Sequence, residues 1–147
     1  MASLVNGLLV VNVAAAWFLT GLIWTIQIVH YPLFESVGDR FGDYEARHCR
    51  LIGYLVGPMM TVELIAASAL VVWRPDYIST TIAATALGLV IAIWLSTAAV
   101  QAPCHRRLSQ GFDRATLARL TVSNWLRTLA WTARAMLLTA ALYGGIS

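Results

Sequence analysis

Glu63 and Arg134 each stand in the middle of a long run of residues otherwise poor in charge, LIGYLVGPMMTVELIAASALVVW and TVSNWLRTLAWTARAMLLTAALY. Wound as a helix, a run of this length crosses a hydrocarbon layer about 30 Å thick at about 1.5 Å per residue. A charge at its centre costs roughly 2.5–3.5 kcal/mol to insert, so it must be paired, neutralised or turned toward a wet cavity. Such spans cannot stand alone. Their polar faces have to meet inside a bundle.

Apolar runs over residues 4–30, 51–73, 81–102 and 121–143 are each long enough to span. Of 147 residues, 59% are hydrophobic and only 12% charged, too little charge to cover the surface of a soluble domain. The expected fold is all-α: a single membrane-embedded four-helix bundle occupying residues 1–147, with a short amphipathic cytoplasmic helix between the first and second spans. No Lys or Arg precedes the first run, and it continues well past the h-region of a secretion signal, so it reads as a retained helix.

The net charge of +3 rests on arginine alone. Arg40, Arg47 and Arg50 lie in the first connection and Arg106, Arg107, Arg114 and Arg119 in the third, against Arg74 in the second. The positive-inside rule then places both arginine-rich connections in the cytoplasm and both termini outside, in a protein integral to the cytoplasmic membrane. Anionic lipid headgroups explain this basic surface. Without aromatic and basic residues interleaved, nucleic acid is not an expected partner. Cys49 and Cys104, one in each cytoplasmic connection, read as free thiols, and neither belongs to a CxxC pair.

In the first span Trp24, Gln27 and His30 share a face, and Pro32 is expected to end the helix. Phe41, Tyr44 and His48 then recur at helical spacing. A helix over residues 39–50 either lies on the membrane or runs straight into the second span, with Tyr44 and His48 on one face and His48 turned toward His30. Gly53 and Gly57 form a GxxxG pair, which serves close packing within the monomer or a dimer equally well. The third span carries Trp94, Thr97 and Gln101 on one stripe and is expected to end at Pro103, followed by His105, Arg106 and Arg107 as a solvated headgroup-binding cluster. In the fourth, Asn124, Arg127, Trp131 and Arg134 fall on one face.

Glu63 lies about 18 Å along from Leu51 and Arg134 about 20 Å along from Thr121, similar depths that make them an expected ion pair. Nearer the cytoplasm, Gln27, His30, His48, Gln101, Asn124 and Arg127 are expected to form a second polar layer. Together these residues outline a pocket opening inward, lined by Trp24, Trp94 and Trp131 and reached by Tyr44.

TGLIWTIQIVHYPLF, the Phe, Tyr and His that follow at helical spacing, PMMTVE, and NWLRTLAWTAR together resemble small bacterial four-helix membrane proteins related to the anthrone-oxygenase-like group. The resemblance spans nearly the whole chain. It implies oxidation of an aromatic, polyketide-like substrate by dioxygen, with His30, Glu63, Asn124, Arg127 and Arg134 lining the substrate site. In chemical terms His30 can take a phenolic or benzylic proton while Arg127 or Arg134 holds the resulting anion. No flavin or nicotinamide fingerprint is present.

Two other readings stand beside it. His30 and His48, with Glu63, can hold haem or a non-haem metal ion in a membrane redox protein. Alternatively the pocket is non-catalytic and binds a lipid, a quinone-like molecule or a partner membrane protein. His30→Ala separates the last reading from the enzyme, since only an enzyme loses turnover.

Overall fold

The computed structural model describes residues 2–145. Four long helices account for most of them, and no strand occurs among the described residues. Helix α1 runs as an α-helix over Ala2–Thr25, widens to a π-helix over Ile26–His30 and returns to α over Tyr31–Leu33. Two 3-10 turns, Phe34–Ser36 and Gly38–Arg40, lead into α2, Phe41–Val72. After a tight turn, α3 covers Thr80–Ser96, a second π segment Thr97–Gln101 and a last stretch Ala102–Leu108. Helix α4 is Arg114–Gly144.

Each helix packs against the next, and α4 closes the ring on α1. Helices α1, α2 and α3 are long and apolar enough to cross a membrane. Helix α4 is of matching length, 31 residues, but carries Asn124, Arg127 and Arg134 on its buried face.

The bundle is apolar outside and polar at its centre. Val10, Phe18, Ile28, Leu55, Ile65, Leu95, Leu126 and Met136 are exposed, whereas Asn12, Glu63, Asn124 and Arg134 have no exposed surface at all. Two apolar clusters fill the two ends. One contains Leu19, Ile23, Phe34, Phe41, Met60, Ile93 and Leu120; the other contains Leu9, Ala16, Leu70, Ala83, Ala86, Ala135 and Leu138.

Of the two arrangements expected for residues 39–50, the structure shows the second: residues 41–50 are the first turns of α2 rather than a separate amphipathic helix, no proline interrupts α2 before Pro58, and Phe41 and Glu45 already face the core. Two further expectations need correction. Neither Pro32 nor Pro103 ends its helix. Each stands second in a short α-segment directly after a π segment. The change from i→i+5 to i→i+4 bonding there leaves a place for a residue without an N–H.

The connections are fixed locally. Gly38, with φ of 76°, adopts a backbone that L side chains avoid. Arg74 closes the turn before α3 by donating to the Val71 and Ile78 carbonyls and to Thr80 Oγ1. Asp113 caps α4, accepting from the Ala115 N–H and the Thr116 hydroxyl. The Thr116 hydroxyl bond, chiefly, holds its carboxyl below the usual range.

Candidate functional site

Glu63 and Arg134 meet at 2.9 Å, from α2 and α4, with neither side chain exposed. The pair sits inside a four-helix knot. Arg134 also donates to Asn12 Oδ1 on α1 at 2.6 Å and to the Ala86 carbonyl on α3 at 3.3 Å. The Trp131 indole donates to the other Glu63 oxygen at 2.9 Å, and Asn12 Nδ2 returns to the Ala66 carbonyl of α2. Asn12 is thus a central residue that its sequence context understates. The signal was periodicity, since 12, 16, 20 and 23 form one buried stripe with Gln27.

One layer nearer the connections, Asn124 donates to Gln27 Oε1 at 2.8 Å, and Arg127 donates to Asn124 Oδ1 at 3.3 Å. Arg127 differs sharply from Arg134. Although 6% exposed, it has no carboxylate partner among the described residues, and its Nε is buried without a hydrogen bond. Its charge rests only on Asn124 and on the face of Trp131, whose ring centre lies 5.0 Å away.

Arg127 lines a cleft of about 470 Å³ that also has Gly53, Gly57 and Met60 of α2, Trp94, Thr97 and Gln101 of α3, and Ile26 and Tyr31 of α1 in its walls. The buried Trp94 Nε1 also lacks an acceptor among the described residues. Two residues of the cleft wall, Arg127 and Trp94, thus each carry a buried N–H without an acceptor among the described residues. Gly53 and Gly57 make room for the cleft. A Cβ built on either meets no atom within 4 Å, so no helix of this chain is seated on the GxxxG pair, and it leaves space on the cleft side. Gln101 bonds Ser96 and Ser123, which fixes its amide at the cleft wall.

Toward the first and third connections the cleft meets a chain of titratable groups. His48 lines it, and His48 Nδ1 lies 2.9 Å from His30 Nε2. His30 does not line this cleft. With Tyr44, Arg47 and His48 it lines a separate groove of about 500 Å³ on the outer side of α2. His48 borders both spaces, so the histidine pair links them.

His105 is not a solvated headgroup ligand. It turns inward, with Nδ1 2.5 Å from Glu45 Oε1 and Nε2 3.2 Å from the Tyr31 hydroxyl. Glu45 is fully buried, accepts also from Cys49 Sγ at 3.4 Å, and has its Oε2 unpartnered among the described residues. The reading of the sequence missed Glu45. Stepping back from Glu63 by threes and fours, through 60, 56, 52 and 49, arrives at it and then at Phe41.

Of the residues expected to line one pocket, Gln27, Asn124, Trp131 and Arg134 are buried in the bundle and do not line the cleft, and Trp24 and Glu63 also fall elsewhere. Trp24 is on the outside of the α1–α4 seam, its indole donating to Thr132 Oγ1 and its ring set edge-on to Trp125. Glu63, engaged by Arg134 and Trp131, lies in another layer from the histidines, so it cannot complete a metal site with His30 and His48. Both cysteines are free, as expected. Compared with protein-family models, curated proteins and solved structures, the chain matches none.

Proposed function

We propose that this chain is an integral protein of the cytoplasmic membrane, with both termini outside, that binds a small aromatic molecule bearing an acidic oxygen between α2 and α3 and oxidises it with dioxygen. The observation that carries the binding is Arg127: a buried guanidinium without a carboxylate partner among the described residues, at the wall of a mostly apolar cleft that Trp94, with its unpaired indole N–H, also lines. A buried charge without a counter-ion is costly, and a phenolate, enolate or carboxylate entering the cleft supplies one. Trp94, Met60 and Ile26 offer flat and apolar surface to rings.

Membrane insertion is supported by the inverted arrangement of the bundle, apolar outside and charged at its centre. The arginine-rich connections supply the orientation.

The oxidation follows the anthrone-oxygenase-like resemblance. In such a reaction an activated CH₂ and O₂ give C=O and H₂O: two C–H bonds break, one oxygen atom bonds to carbon and the other leaves as water. The first step is loss of a proton. His48, on the cleft wall, is placed to take it and His30, hydrogen-bonded behind it, to pass it to the outer groove. Arg127 and the Trp94 N–H then hold the oxyanion, which concentrates negative charge where dioxygen can accept an electron.

Oxygen uptake by purified protein with an anthrone as substrate tests this reading. Uptake should fall by about 100-fold or more in His48→Ala, the range for loss of a general base. Uptake by wild type no faster than by buffer, or a His48→Ala variant as active as wild type, would overturn it.

A further inference from the structure

We infer that Glu45, Cys49 and His105 form a binding site for one divalent transition-metal ion, of the kind that accepts sulfur, nitrogen and oxygen together, on the wall of the α2–α3 cleft. Glu45 and Cys49 are one turn apart on the same face of α2, and His105 comes from the last segment of α3. One ligand atom from each lies within 4.8 Å of the other two. His105 Nδ1 and Cys49 Sγ both converge on Glu45 Oε1, at 2.5 and 3.4 Å.

Two independent features single this cluster out. Glu45 is fully buried, yet its Oε2 has no hydrogen-bond partner among the described residues. Buried polar atoms without partners are rare in folded proteins and call for an explanation such as an ion. The second feature is the far side of the imidazole. His105 Nε2 is held by the Tyr31 hydroxyl at 3.2 Å, the outer hydrogen bond that orients a metal-binding histidine.

The geometry is close to what an ion needs. Around a tetrahedral centre with bonds of about 2.3 Å to sulfur and about 2.0 Å to nitrogen and oxygen, sulfur and oxygen are about 3.5 Å apart and nitrogen and oxygen about 3.3 Å. The Cys49–Glu45 separation of 3.4 Å already matches. The His105–Glu45 contact, now at 2.5 Å, has to open, by replacing a shared proton with the ion, and Cys49 and His105 lie within 4.8 Å of each other. A thiolate, an imidazole and a carboxylate suit zinc, cobalt or ferrous iron better than magnesium or calcium. Cys49 and His105 both line the cleft, so a fourth coordination position faces it and stays open to a small molecule.

The test is titration of the full-length protein, purified in detergent and stripped of metal, with Co²⁺. The expected result is one ion per chain with tetrahedral absorption bands and a thiolate-to-cobalt charge-transfer band. Cys49→Ser should abolish the charge-transfer band, Glu45→Gln and His105→Ala should abolish tight binding, and Tyr31→Phe should weaken it by about 10–100-fold. Arg127→Met should bind Co²⁺ as wild type does, which separates this site from the aromatic-anion site.

Absence of saturable binding to folded wild-type protein would overturn the proposal, as would a spectrum indifferent to Cys49→Ser or one removed by His30→Ala but not by Glu45→Gln. If the variants fail to fold, alkylation of Cys49 in wild-type protein, read by mass spectrometry, decides instead. Zn²⁺ protects Cys49 if the site exists, and equal alkylation with and without Zn²⁺ contradicts it.

Discussion

Replacing Glu63 by Ala leaves Arg134 charged, wholly buried and short of its one carboxylate, while Asn12 Oδ1 and the Ala86 carbonyl remain to it. Breaking a buried ion pair by removing one partner costs about 3–5 kcal/mol. The same change strips the Trp131 indole of its acceptor, worth roughly 1–3 kcal/mol on its own. Because the two share one carboxylate and are not additive, about 4 kcal/mol is expected for Glu63→Ala, a large part of a total stability of about 5–15 kcal/mol. The double variant Glu63→Leu with Arg134→Met removes both charges and should recover at least about 2 kcal/mol of that loss. Denaturant unfolding in detergent micelles, followed by tryptophan fluorescence and extrapolated linearly, measures both. A Glu63→Ala loss below about 1 kcal/mol, or a double variant less stable than the single one, would refute the argument that the pair's charges must be satisfied together.

Gly57→Leu should fill the cleft, since a Cβ there meets nothing; titration should show aromatic binding lost while the melting temperature holds or rises, because Gly is about 0.8–1 kcal/mol less favourable than Ala in a helix and Leu ranks next to Ala. Asp113 has a carboxyl held below its ordinary value, chiefly by the Thr116 hydroxyl, so the capped start of α4 is stabilised fully above about pH 3.9 and loses that stabilisation as pH falls through the lower folded value. The difference in melting temperature between wild type and Asp113→Asn should therefore shrink as pH falls from about 5 to about 3.

How much of this was legible beforehand depended on whether a residue's role was set by depth or by direction. Glu63 and Arg134 could be paired from sequence because both lie deep in apolar runs, where depth alone forces a partner. Gln27, Asn124 and Arg127 followed from a shared helical face. His105 and Glu45 did not, because both lie in polar stretches near the ends of spans, where solvent and a buried partner look alike in sequence. Trp24 went the other way: an indole near a polar stripe was expected inside, but Thr132 satisfies its N–H on the exterior. The run through Pro32 and Pro103 was hidden because both helices widen to π just before the proline, which no local propensity announces.

The reading of the cleft rests on Arg127 presenting a charge that no carboxylate among the described residues answers. Its most direct measurement is the affinity of purified protein for a dihydroxyanthraquinone, followed by quenching of tryptophan fluorescence, in wild type, in Arg127→Met and in Arg40→Ala as a surface control. A charge-assisted hydrogen bond contributes about 1.5–3 kcal/mol, so Arg127→Met should bind about 10–100-fold more weakly while Arg40→Ala binds as wild type does. Equal affinity in wild type and Arg127→Met would contradict the account.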